Sequence, residues 1–163
     1  MKNYEVLEQQ LELLTSCDPD TQLKRAETLC DLAYALALVD VQKSLSHAGK
    51  ALIITREIKN RRLEALALRY HGVAHGVAGN YEKALEYYNQ SMVISREEGF
   101  DEGVASCLNN IAINFHNSGR HQEALDYYQK AMIIYRRIDD QSGVAVSYIN
   151  IGELYYDWGD LEK

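Results

Sequence analysis

Apolar side chains recur every three or four residues along most of this chain, the spacing of amphipathic helices rather than of strands. Between residues 101 and 140, Leu108, Ile111 and Phe115 precede Ser118-Gly119-Arg120, and Ala124, Tyr128, Ala131 and Ile134 follow it. This pattern predicts two helices around a tight turn, and the arrangement returns when the chain is slid against itself. Laying position 61 on position 101 brings Ala65, Leu68, Gly79, Ala84, Tyr88, Met92, Ile94 and Arg96 onto Ala105, Leu108, Gly119, Ala124, Tyr128, Met132, Ile134 and Arg136. A further equal step lays Gly143, Val144, Ala145, Asn150, Ile151 and Gly159 on Gly103, Val104, Ala105, Asn110, Ile111 and Gly119. Residues 21–60 join only in their second half, through Leu45, Lys50, Ala51, Ile53, Ile54, Arg56 and Ile58, so the first repeat is degenerate, as terminal repeats often are.

Each unit thus reads as a helix-turn-helix hairpin. Gly79, Gly119 and Gly159 stand where the first helix of a unit is predicted to stop, a left-handed position that suits glycine. Arg56, Arg96 and Arg136 fall near the end of the second helix, where a cation complements the helix dipole. The organisation expected is an N-terminal packing helix over 1–18, a degenerate repeat over 19–60, repeats over 61–100 and 101–140, and a truncated repeat over 141–163. Val6, Leu7, Leu11 and Leu14 give the first helix its apolar stripe, and Asp18 precedes Pro19 as an N-cap before a first-turn proline. Glu162-Lys163 follow closely on Gly159, so the second helix of the fourth unit is absent and the chain looks cut. Tyr148, Ile151 and Tyr155 would then lack part of their cover, and the expectation is self-association through the incomplete C-terminal repeat, or disorder of the last hairpin.

The residues Tyr148-x2-Ile151-Gly152-x2-Tyr155, Ala84-x3-Tyr88 and Ala124-x3-Tyr128 carry a family resemblance: over roughly residues 21–163 the chain resembles the tetratricopeptide repeat (TPR) family, of the long-period regulatory type. Its repeat steps from 61 to 101 to 141, longer than the common period, and it lacks the proline that often closes a repeat. Asn150-Ile151-Gly152 is similar to the Asn-Leu-Gly motif of polarity adaptors. The resemblance implies an all-α fold, a TPR-like superhelical solenoid of antiparallel helix hairpins, with a concave groove lined mainly by the first helix of each unit. The groove positions it selects are Arg69 and Val73, then Asn109, Asn110, Ile113, His116 and Asn117, then Asn150, Glu153, Tyr156 and Asp157. Asn110 and Asn150 are repeat equivalents whose amides can meet a peptide backbone at successive steps, or can be solvated or bonded between neighbouring helices. The groove lacks the paired lysines that clamp a C-terminal carboxylate in some TPR domains.

Composition narrows the function classes. Of 163 residues, 47% are hydrophobic and 25% charged, an ordinary globular balance, and the single proline leaves helix interiors free. A net charge of −7 opposes nucleic-acid binding, which needs clustered cations. Cys17, Cys30 and Cys107 are odd in number and lack a CxxC pair, which indicates reduced core thiols. The opening MKNYEVLEQQLELL has acids where a signal peptide is apolar, and no long apolar run spans a membrane, so a cytoplasmic protein is expected.

Chemistry is sought without success. His71 and His75 share a helical face at metal-ligand spacing, but no HExxH glutamate lies between them and both fall on packing positions of the repeat. Gly72, Gly76 and Gly79 have no strand before them to build a dinucleotide loop, and Gly72 matches a small residue that admits a neighbouring helix. Tyr87-Tyr88 and Tyr127-Tyr128 suggest an aromatic platform, yet Tyr88 and Tyr128 are packing positions. No catalytic, cofactor or metal site is expected. The leading function is a protein-interaction scaffold that holds a peptide or protein segment. The alternatives are the N-terminal sensory TPR segment of a larger bacterial signalling enzyme, a histidine kinase or nucleotide cyclase, and a peptide-responsive regulator.

Overall fold

A computed structural model of the protein describes residues 3–161; Glu162-Lys163, and the first two residues of the expected N-terminal helix, lie outside it. The described residues form eight helices and no strand: α1 Asn3–Leu13, α2 Pro19–Leu36, α3 Val41–Glu57, α4 Arg61–Val77, α5 Tyr81–Glu97, α6 Asp101–Asn117, α7 His121–Arg137 and α8 Gln141–Leu161. The fold class is therefore all-α, built from antiparallel helix hairpins of the TPR type.

The period read from the sequence resolves into one half as long. Helices α3 to α7 are each 17 residues long and begin at 41, 61, 81, 101 and 121, so a single helix with its three-residue connection is the module that recurs. Each connection closes the same way. Asn80 N–H donates to the His75 carbonyl and Gly79 N–H to the Gly76 carbonyl, and equivalent pairs join Asn60 to Thr55, Phe100 to Ser95, Arg120 to Phe115 and Asp140 to Tyr135. This is the Schellman closure, which puts the penultimate loop residue in the left-handed region. Gly79, Gly99 and Gly119 meet that demand at φ 76°, 62° and 76°, and Lys59 and Asp139 meet it at φ 54° and 58° despite their side chains. The next residue starts the following helix: Asp40 and Asn60 accept from the amides of Lys43 and Leu63, and Asp140 accepts from that of Gly143.

Gly159 departs from expectation. It lies inside α8, not at a turn. Trp158 stacks on Tyr155 at 6.4 Å and on His121 at 5.8 Å, and continued helix keeps Tyr155 and Trp158 on one face at i, i+3 spacing. A glycine permits a left-handed stop but does not impose one, and inside a helix it costs only about 1 kcal/mol.

Two compact units divide the chain, residues 1–94 and 95–163. In the first, Ala26, Leu29, Cys30, Ala51, Leu63 and Ala67 form a buried core on which Leu11 of α1 packs. The Asp18 side chain caps α2 by accepting from Thr21 N–H at 2.9 Å, with Pro19 in the first turn. Buried serines are satisfied across helices: Ser44 Oγ donates to the Ala33 carbonyl and Ser91 Oγ to the Ala65 carbonyl, each at 2.6 Å. Gly72 admits the facing helix, since a Cβ there would stand 2.5 Å from Cε1 of Tyr88. In the second unit Tyr128 is buried beside Ala124 and Ala131 of α7, and Leu154 of α8 is fully enclosed. Cys30 and Cys107 are buried thiols, but Cys17 is exposed in the α1–α2 connection, so it is not a core residue. Helix α1, on which Leu11 is partly buried, ends at Leu13, and Cys17 lies beyond it among the exposed residues 15–18.

Candidate functional site

The candidate positions fall in both units, and each unit is described by itself. Arg69 and Val73 are half-buried on α4 of the first unit. The Arg69 guanidinium sits 4.6 Å from the centre of the Tyr70 ring, which in turn tilts against Tyr34 at 5.3 Å. One turn further, His71 stacks on Tyr87 at 4.4 Å and His75 at 5.4 Å. Burial, then the neighbouring His75 and Lys83, pull His71 down to about 4, so its ring is neutral and acts as an aromatic plate. The packing role expected of these histidines is what the geometry shows. Among the described residues no three His, Cys, Asp or Glu side chains gather at metal-binding distance.

In the second unit the repeat places α6 and α8 so that their polar positions meet. Asn150 Nδ2 donates to Asn109 Oδ1 at 3.0 Å, and Asn109 is buried. His116 Nε2 lies 2.8 Å from Asp157 Oδ2, with the histidine side chain 13% and the aspartate 55% exposed. Between these two pairings along α6, Ile113 is half-buried, and Asn117 stands exposed at the helix end. Asn110 is half-buried, and its Nδ2 is enclosed without a hydrogen bond. On α8, Glu153 and Tyr156 are exposed, and the Glu153 charge adds to burial in holding the Tyr128 hydroxyl above its ordinary range. All nine candidates of this unit thus lie on two helices, with Asn109 spent on Asn150 and His116 on Asp157.

Sequence reasoning missed the aromatic cluster that continues this face. His121 meets His116 edge-on at 5.9 Å and stacks on Trp158 at 5.8 Å, and Trp158 stacks on Tyr155. The signal was faint, because the repeat equivalents of Trp158 are Ser118 and Ala78. No long-range pattern marks a position whose character changes from unit to unit.

Helical hairpins with connections of constant length from α3 onward and small-residue seams define a helical-repeat protein. The tetratricopeptide repeat family matches residues 63–132 and 103–163, more than half of the chain, and the protein belongs to that family. No protein of curated function matches it by sequence. Among solved structures, BtubC from P. vanneervenii is 26% identical with a TM-score of 0.75, over 98% of this chain and 65% of that one. A Rap protein complexed with competence and sporulation factor is 20% identical with a TM-score of 0.82, over 98% and 43% of the two chains. Aspartyl phosphate phosphatase F from Bacillus subtilis is 15% identical with a TM-score of 0.76, over 86% and 37%. The chain therefore spans less than two thirds of each of these proteins. The last two likenesses concern the fold alone. Among the described residues, no helix is long and apolar enough to cross a membrane.

Proposed function

We propose that the protein is a non-catalytic interaction module that holds a peptide or protein segment against α6 and α8 of its second unit. The observation that carries the reading is Asn110: the residue is half-buried on α6 and its Nδ2 makes no hydrogen bond, so a side-chain turn that opens this amide to an incoming acceptor would satisfy it. A peptide carbonyl is such an acceptor. On the same two helices the Asn109 and Asn150 amides are hydrogen-bonded to each other, and Glu153, Tyr156 and Asp157 offer an exposed polar and aromatic rim. The Rap structure bound to competence and sporulation factor supports ligand binding by proteins of this fold. A signalling role as the sensory segment of a longer protein is the second reading. It is favoured by the likeness to a signal transduction ATPase with a tetratricopeptide repeat sensor from Pyrococcus horikoshii, of which this chain covers 21%. Self-association through α8 belongs with either reading, since Tyr148, Ile149, Tyr155 and Tyr156 are all more than half exposed.

The test is a peptide library selected on the whole protein and re-measured on variants. Selected peptides are expected to lose about tenfold or more in affinity for Asn110→Ala, with an unchanged helical circular dichroism spectrum. Equal binding to that variant, peptide after peptide, would show that the segment lies elsewhere.

A further inference from the structure

Helix α1 rests on the first unit without being enclosed by it. None of its residues from Asn3 to Leu13 is buried, whereas α2 beneath it buries Leu29, Leu32 and Leu36. Its inward stripe is Leu7 and Leu11, continued by Leu14, at four- and three-residue spacing, and all three are only half-buried. A cleft opens along each flank. The first, of 570 Å³, is lined by Leu11, by Leu29 of α2 and by Lys50, Ile53 and Ile54 of α3. The second, of 370 Å³, is lined by Leu7, Leu13 and Leu14 and, from α2, by Lys24, Glu27, Thr28 and Asp31. The surface that α2 and α3 offer is therefore wider than the helix that rests on it.

A helix held in this way opens more readily than its neighbours, because opening forfeits few enclosed apolar contacts. Its ion pair with α3, Glu8 to Lys43 at 3.1 Å, adds little, since the two side chains are 36% and 55% exposed. What the seat fits follows from what it holds and what it leaves empty. A helix with a larger side chain in place of Leu11 fills the first cleft, and one with a larger side chain in place of Leu7 fills the second. Each gains the dispersion contacts that α1 forgoes. Charge is set on the α3 side. Lys43 and Lys50, seven residues apart, share one face of α3, and α1 carries Glu5, Glu8 and Glu12 with no lysine or arginine between Asn3 and Leu13. On the α2 side Lys24 stands with Glu27 and Asp31, so that flank selects no charge.

We infer that the α2–α3 surface under α1 is a docking site for an amphipathic helix of another protein, and that α1 is its resident stand-in. The incoming helix has aromatic side chains where α1 has Leu7 and Leu11, and carboxylates towards α3. It displaces α1 and lies in the same place. No residue of the α6–α8 face takes part, so the inference stands or falls apart from the function proposed above.

The probe is a fluorescein-labelled peptide of residues 3–13 with Leu7→Phe and Leu11→Phe. A lactam between positions 9 and 13, on its outer side, locks it as a helix, because a free helix of this length is marginal in water. Binding is read by fluorescence anisotropy, and the place of α1 by hydrogen exchange of residues 3–13. On the parent, saturating probe is expected to speed exchange of those amides by about tenfold or more and to slow it in α2 over residues 21–29. Glu8→Lys combined with Leu11→Asp loosens α1 and leaves the α2 and α3 side chains as they are. This double variant is expected to bind the probe at least about tenfold more tightly than the parent, because a tethered α1 competes at an effective concentration of about millimolar. Equal binding to both proteins, with exchange of residues 3–13 unchanged by the probe, overturns the inference. The controls on the probe need no variant to fold. An equally tight peptide with the original leucines overturns the role of the clefts, and an equally tight one with Glu5→Lys, Glu8→Lys and Glu12→Lys overturns the choice of acids. Dimers of the parent that exchange α1 without any probe would assign the seat to a second copy of the chain instead. Asn110→Ala is expected to bind the probe as the parent does, which keeps the result separate from the α6–α8 reading.

Discussion

Helices α6 and α8 carry the same repeat positions, one period apart within one compact unit, and they differ in what covers them. Leu108 and Phe115 of α6 are 6% and 8% exposed, whereas their equivalents Tyr148 and Tyr155 of α8 are 55% and 54% exposed. The opposite side of α8 does not differ in this way: Leu154 is fully buried, as its equivalent Asn114 nearly is. A repeat pattern therefore specifies which faces a helix offers to neighbours, and the neighbours decide which faces are buried. The glycines make the same point at closer range. A Cβ on Gly72 would collide with Tyr88, but one on its equivalent Gly152, two periods later, would meet nothing within 4 Å.

Substitutions on the two sides of α8 should separate most widely. Leu154→Ala is expected to cost about 2–5 kcal/mol, because it opens a cavity in an enclosed site. Tyr155→Ala, on the more exposed side, should cost less, about 0.5–1.5 kcal/mol, through the lost stack on Trp158. Urea denaturation of both variants decides it, and similar midpoints would mean that the two sides are not so different. The glycine pair should change sign. Gly72→Ala is expected to destabilise by about 1–3 kcal/mol through overpacking against Tyr88. Gly152→Ala, in open helix, should stabilise by about 0.5–1 kcal/mol through lost unfolded-state entropy. A loss at both positions would show that Gly152 also meets a neighbour in solution, for example a second copy of the chain.

Asn150 sharpens the comparison on the polar side. Repeat equivalence with Asn110 marks it as a groove residue whose loss leaves stability alone. Its amide instead donates to the buried Asn109, so Asn150→Ala strands an enclosed oxygen and is expected to cost about 1–2 kcal/mol. Thermal melts matched to those of the parent would indicate that Asn109 finds another donor.

The hairpins, the turns at Gly79 and Gly119, the cap at Asp18 and the packing roles of Tyr88, Tyr128, His71 and Gly72 were all legible in the sequence. Each follows from spacing within one helix or across one turn. The shorter, single-helix module was hidden because Lys59 and Asp139 occupy left-handed positions that only glycine advertises. Gly159 misled for the converse reason, since its residue type announced a turn that its aromatic neighbours do not make. Of the candidate face, the residues could be named in advance but not their pairings. Whether Asn150 meets Asn109 or His116 meets Asp157 depends on how two helices a full period apart settle against each other, and no periodicity records that.

The smallest effect expected is a pH dependence that belongs to the first unit. His71 is half-buried against Tyr87, with His75 and Lys83 close enough to oppose its protonation, and its folded value near 4 lies below the 6.5 of a free histidine. Above pH 6.5 the ring is neutral in both folded and unfolded chains and stability does not depend on it. As the pH falls from 6.5 towards 4, the unfolded chain takes up a proton that the folded one refuses, so stability declines across that window and levels off below it. The ring keeps part of its hydration, which keeps the change modest. His71→Phe retains the stack on Tyr87 and removes the proton site. His75 and His47 are also held below their ordinary values by burial, so the variant keeps some slope of its own. The informative quantity is the difference between the two proteins: the melting temperature of His71→Phe should fall less between about pH 7 and pH 4 than that of the parent. Parallel curves would mean that the His71 ring protonates in the folded state at no cost, and that the stack on Tyr87 does not enforce the neutral form.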